Sequence, residues 1–139
     1  MVNDSVPSND YVQLELLNQQ LKELDQSIIY ARDQMDHAHL AVLMLTALAK
    51  ANPGDDMLIP LGNSIFAEVK AHNVKTVKFG VGAGVVVDKD LSDATSLMKG
   101  QLKELAEYQD QSSRLYDQVI QRALELQDKI EQTQKQNTE

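Results

Sequence analysis

The chain has 139 residues, one domain's worth of polypeptide, with 13 Lys and Arg against 21 Asp and Glu for a formal charge of −8. That acidic balance argues against a sequence-independent grip on phosphate backbones, so no nucleic acid partner is expected. The lack of Cys excludes disulfides and thiolate metal sites; with no secretory leader and no run of about 18 apolar residues, a reducing, cytoplasmic setting without membrane contact is expected.

Residues 1–9 are polar, carry Pro7 and read as a flexible lead-in, with Ser8, Asn9 or Asp10 placed to cap the helix that follows. Over 10–52, apolar or small residues recur at Leu14, Leu17, Leu21, Leu24, Ile28, Ala31, Met35, Ala38, Val42 and Leu45. The steps alternate between three and four without a break, which is a heptad seam and predicts a coiled-coil helix. Such a helix is on the order of 60 Å long. An ordinary core helix is the competing reading, and it fits poorly because globular helices average about 11–12 residues. Asn52-Pro53-Gly54 stops the helix.

The stretch 57–89 is the one part of the chain with strand character. Ile65, Ala67 and Val69 alternate with Phe66, Glu68 and Lys70, and Val77, Phe79 and Val81 with Lys78 and Gly80. The run Val85-Val86-Val87 reads as a strand covered on both sides. Gly62-Asn63 and Gly82-Ala83-Gly84 offer the positive-φ positions of tight turns, so four strands in two successive hairpins are expected. Four short strands cannot bury both faces or close a barrel alone, and their free edges invite pairing. An obligate oligomer follows, with 57–89 as its assembly body.

Asp90 and Asp93 resemble an N-cap and first-turn acid for a second coiled-coil helix over 90–131. Its seam runs through Met98, Leu102, Leu105, Tyr116, Val119, Ala123, Leu126 and Ile130, with Gln109 and Ser112 where apolar residues are expected. Apolar residues vanish after Glu131, so 132–139 reads as a flexible tail. No internal repeat stands out. Two arms of similar length around a hairpin body predict an antiparallel two-helix coil, pairing residues whose numbers sum to roughly 140.

Chemistry-bearing clusters are scarce. His37 and His39 are two apart and so do not face one another on a helix, which makes them surface residues and no metal pair. His72 falls in the loop between hairpins. Gly80-Val-Gly-Ala-Gly84 lacks the Lys-Ser/Thr of a phosphate loop and leads into a strand, so it reads as a turn. With no nucleophile–base grouping, no enzymatic activity is expected. Off the seam, Val12 and Leu16 lie four apart on the outward face of the first arm, and Ile120 and Leu124 do the same on the second. The register brings both pairs to the end of the coil that holds the termini, as a candidate apolar contact patch. Leu40, Leu43, Met44 and Leu48 broaden the stripe beside the hairpins and are expected to pack on them.

Helix, double hairpin and helix in this order resemble the prefoldin family, and within it the α class. The residues that carry the likeness are Leu58-Ile-Pro-Leu-Gly62, similar to the family's L-V-P-L/V-G entry to the first hairpin, and Val81-Gly-Ala-Gly-Val85, similar to its V-G-A-G turn. Asp88-Lys89-Asp90-Leu91 takes the place of the charged exit into the second helix. Asn63-Ser64 departs from the Ala-Gly of many relatives and touches only the first turn. The resemblance implies an α+β fold in which the hairpins of different subunits form an intersubunit β-barrel. It further implies a hexamer of this chain with prefoldin β-type subunits, two α to four β. Such a complex acts without nucleotide or other cofactor, capturing unfolded client proteins at the coil tips for delivery to a group II chaperonin. Carried onto this chain, the oligomerisation residues are Ile59, Leu61, Ile65, Phe66, Val69, Val77, Phe79, Val81, Val85 and Val87, with turns at Gly62, Gly82 and Gly84. Val12, Leu16, Ile120 and Leu124 are the client-contacting candidates. A filament-forming paralogue, or a coiled-coil scaffold or adaptor without holdase activity, is the alternative.

Overall fold

The computed structural model describes residues 5–137, with side chains from residue 9 onward. In chain order the elements are α1 (Ser5–Lys50), β1 (Asp56–Gly62), β2 (Ile65–Lys70), β3 (Thr76–Gly82), β4 (Val85–Asp90) and α2 (Leu91–Asn137). The fold is therefore α+β: two long helices with two antiparallel hairpins between them, each a separate two-stranded sheet. Two compact units divide the chain, one of Met1–Asp33 with Ala106–Glu139 and one of Gln34–Leu105.

The first unit is the antiparallel coil that holds both ends of the chain. Lys129 Nζ lies 3.9 Å from Asp10 Oδ1, and Gln134 Nε2 donates a hydrogen bond to the Tyr11 hydroxyl. These pairs have residue numbers summing to 139 and 145, close to the register expected from the heptads. Ala31, Val119, Ala123 and Ile130 are buried along the seam, and every other expected apolar seam residue of this unit is half-buried. Ser112 is buried and Gln109 half-buried, so the seam runs unbroken through its two polar positions.

Both helices are longer than the sequence suggests. Residues 1–4 of the expected lead-in lie outside the described residues, but 5–9 are already helical. Pro7 falls in the first turn, where its missing N–H would have had no helical partner. None of Ser8, Asn9 and Asp10 is therefore an N-cap; Asp10 sits inside α1 and is buried. At the other end 132–137 remain helical, while 138–139 lie outside the described residues. Glu, Gln and Lys are good helix formers, and half-buried Thr133 extends the seam by one step.

In the second unit α1 ends at Lys50, and Asn52–Asp55 forms a tight turn in which Asp55 N–H donates to Asn52 O at 3.0 Å. Pro53 then Gly54, at φ 93°, supply the central pair of a type II turn, the second position of which needs positive φ. Between hairpins, Asn73 Oδ1 accepts from the N–H groups of Lys75 at 2.9 Å and Thr76 at 3.2 Å.

The hairpins are register twins. Asp56↔Lys70 through Gly62↔Ile65 in the first corresponds, twenty residues on, to Thr76↔Asp90 through Gly82↔Val85 in the second. Both bulge one residue before the same glycine, at Leu61 and Val81. Both close on two residues of positive φ, Asn63-Ser64 and Ala83-Gly84, the conformation that matches strand twist. This repeat went unseen in the sequence because, of the paired positions, 62 and 82 alone share a residue type.

Candidate functional site

Among the described residues no cluster of His, Asp or Glu could hold a metal ion, and the features that stand out are two apolar surfaces, one in each unit.

In the Gln34–Leu105 unit the hairpins have two unlike faces. Met57, Ile59, Val69, Val77 and Phe79 line a cavity of about 440 Å³ together with Met44, Leu48 and Met98 of the helices. Lys89 Nζ sits 5.4 Å from the Phe79 ring centroid, a cation–π contact that fixes the ring on this side. Val69, Val77 and Phe79 are half-buried there, and Ile59 is exposed at the rim. Leu61, Ile65, Phe66, Val81, Val85 and Val87 are exposed, Leu61 to 66%. The Val85-Val86-Val87 strand is thus uncovered within this chain, contrary to the expectation from its apolar run. That expectation equated an apolar run with burial, whereas a two-stranded sheet has no second layer to cover its outer side.

Leu58 and Val86 are equally exposed, though neither is among the oligomerisation residues expected from the sequence. Their signal was the strict alternation with Met57, Ile59, Val85 and Val87, which assigns them to the opposite face of each hairpin. Of the four α1 residues expected to pack on the hairpins, Met44 and Leu48 do so. Leu40 and Leu43 do not: Leu43 is 64% exposed. Leu43 is one residue before Met44, about 100° away around the helix, and so points elsewhere.

In the coil unit Val12, Leu16 and Leu124 are exposed, Leu16 to 60%, whereas Ile120 is half-buried. Ile120 directly follows seam residue Val119, and that flanking position is partly covered by the opposite helix. Leu16 borders a shallow furrow of about 460 Å³ floored by Leu17 and Leu126 and banked by Gln13, Gln20, Arg122 and Lys129. Leu124 is not among its lining residues. Ile29 and Tyr30 of the same unit are also exposed and went unremarked in the sequence, being single residues off the seam. Among the described residues no helix is long and apolar enough to cross a membrane.

Comparison with known proteins places this geometry. The family model for prefoldin subunits matches residues 17–136. Prefoldin subunit alpha of Archaeoglobus fulgidus is 29% identical over 75 residues, covering 54% of this chain and 55% of the relative. Human prefoldin subunit 5 is 34% identical over 91 residues, 63% of this chain and 59% of the relative. The matched stretch thus spans little more than half the length of these curated relatives. Among solved structures, a chain of filamentous PFD from Methanocaldococcus jannaschii, determined by cryo-EM, superposes with a TM-score of 0.63 at 16% identity, over 81% of this chain and 93% of that one. At that identity the superposition speaks for the fold, and the family model, which covers most of the sequence, speaks for descent. The chain belongs to the prefoldin subunit family.

Proposed function

We propose that this chain is the α-type subunit of a nucleotide-independent holdase. Its hairpins join those of prefoldin β-type subunits in a platform of two α to four β chains. The coil ends capture exposed apolar segments of unfolded client proteins in the cytoplasm and pass them to a group II chaperonin. The observation that carries this reading is a prefoldin-family chain whose paired hairpins leave Leu58, Leu61, Ile65, Phe66, Val81 and Val86 in water. An apolar surface of that density on a soluble protein marks an interaction site. Val12, Leu16 and Leu124 supply the second surface, weak in a single subunit and strengthened by avidity when several coils act together. Neither surface involves a metal, a cofactor or a catalytic residue.

The test is aggregation of a chemically denatured substrate diluted into the complex reconstituted with a β-type subunit, without ATP. Suppression is expected, and Leu16→Ser with Leu124→Ser should reduce it at least about threefold, as loss of two exposed apolar contacts implies. Unchanged suppression by an assembled double variant removes the coil-end patch from the reading. A second reading, self-assembly into a filament, is favoured by the identical register of the two hairpins, which gives one chain two like pairing modules. Native mass spectrometry separates them: a mixed hexamer supports the first, an open homopolymer the second.

A further inference from the structure

The chain has no Cys, and its sulfur is concentrated in one place. Of its five methionines, Met44 of α1, Met57 of β1 and Met98 of α2 line the cavity of about 440 Å³ beneath the hairpins. All three are half-buried, and the cavity is open to solvent. Met is unbranched and polarizable, which suits it to an irregular gap of this kind. Where Cys is absent, the Met thioethers are the side chains that hydrogen peroxide oxidises.

The Gln34–Leu105 unit has little else to hold its parts together. Its buried apolar side chains are those of Ala38, Ala71 and Ala94. The hairpins are two separate sheets with no ladder between them. Their placement against the helices therefore rests on side chains that meet across the cavity, the three methionines with Leu48, Val69 and Phe79 among them. A sulfoxide oxygen at this place finds few free donors. At the rim, Lys70 Nζ already donates to Asp56, Lys78 Nζ to Asp88 and Asn73 Nδ2 to Thr76 Oγ1. Exposed His72 and water are left as its partners, and water satisfies it only by entering the gap.

We propose that Met44, Met57 and Met98 form a peroxide-modified site, and that their conversion to methionine sulfoxide frees the hairpins from the helices and lowers the affinity of this chain for its β-type partner. That last consequence rests on the reading of the chain as a prefoldin-type subunit. In each step a sulfur lone pair attacks one oxygen of hydrogen peroxide, so that an S–O bond forms and the O–O bond breaks. The departing hydroxide takes the proton from the new S–OH group and leaves as water; the sulfur is oxidised by two electrons and the peroxide reduced by two. Methionine sulfoxide reductases reverse the change at the expense of a dithiol, which makes it a switch. Hairpins released from the helices no longer present their apolar faces in one arrangement, and association must then supply that order itself.

The experiment treats the free full-length chain with hydrogen peroxide, removes the oxidant with catalase and adds an untreated β-type prefoldin subunit. Peptide mapping locates the added oxygens, native mass spectrometry reads assembly, and urea unfolding follows the free chain. Sulfoxide is expected at Met44, Met57 and Met98, with assembly weakened at least about tenfold and restored by a methionine sulfoxide reductase with dithiothreitol. The triple variant Met44→Leu, Met57→Leu, Met98→Leu nearly conserves volume and removes the sulfur; after treatment it should assemble within about twofold of its untreated form. Met35→Leu, on the helix seam and outside the cavity lining, should stay as sensitive as wild type. No oxygen at the three positions, full oxidation there with unchanged assembly, or a triple variant as sensitive as wild type overturns the proposal. Should the triple variant fail to fold by far-UV circular dichroism, the wild-type chain decides, and a loss that the reductase does not reverse overturns it. An untreated wild-type chain that ignores every β-type subunit sinks the prefoldin-platform reading. The urea midpoint of the free chain then decides this inference alone: it should fall on oxidation in the wild type, and an unmoved midpoint overturns the proposal.

Discussion

Each hairpin turn holds half of the best available sequence. Two-residue loops with positive φ at both positions favour Asn then Gly. The first hairpin has Asn63-Ser64 at φ 50° and 63°, and the second has Ala83-Gly84 at 52° and 75°. Ser64 and Ala83 are thus L-residues held in the left-handed region, at a cost of roughly 1 kcal/mol each. Ser64→Gly and Ala83→Asn should each stabilise the chain by about 0.5–1 kcal/mol, read as a shift in the midpoint of urea unfolding. Destabilisation by either would mean that these side chains make contacts outside the turn. The glycines at 62, 82 and 84 announced the turns in the sequence. Ser64 and Ala83 did not, since a conformation that a residue dislikes leaves no compositional trace. Asp10 was misjudged for a similar reason: an acid near a chain end resembles a cap, and only its burial near Lys129 reveals a seam position.

The helices were legible as elements because a long heptad repeat has few other solutions, whereas their ends depended on weak signals. Pro7 and the Gln-rich stretch after Glu131 each permit helix without demanding it, so both helices run past the expected limits. Polar seam residues were legible too, and their burial has an energetic consequence. The register set by Asp10 and Lys129 puts buried Ser112 level with half-buried Ser27, next to the seam residue Ile28. Ser112→Leu should raise stability by about 1 kcal/mol, seen as a higher Tm in thermal circular dichroism, because the burial gain exceeds the small repacking cost. A lower Tm would show that this layer is already filled. The hairpins were legible as two units of alternation but not as a repeat. What repeats is the placement of the bulge and the turn, and chemistry as different as Pro60 and Gly80 occupies matching places.

Across the molecule, the informative quantity is where apolar surface stays uncovered. The strands carry more of it than either helix, and the ion pairs beside it, Lys70–Asp56 at 2.9 Å and Lys78–Asp88 at 2.5 Å, are exposed and contribute little to stability. The formal charge of −8 keeps such a chain in solution, but it does not remove the tendency of uncovered Leu58, Phe66 and Val86 to find a partner. Alternation along β1 and β4 assigns Leu58 and Val86 to the opposite face of each hairpin, but their exposure depends on the layer that is missing and not on the strand itself. If subunit association covers this surface, the free chain should bind the dye ANS, and titration with a β-type subunit should lower that fluorescence severalfold until the complex is saturated. Phe66→Ser with Val86→Ser should lower the dye signal of the free chain and weaken association by at least about tenfold, in line with the area two such side chains withdraw from water. Because the coil-end residues Val12, Leu16 and Leu124 belong to the other unit, Leu16→Ser should leave the saturation point of the titration unchanged. A saturation point that moves with Leu16, or dye binding that persists in the full complex, would mean that assembly covers a different surface from the one the hairpins expose.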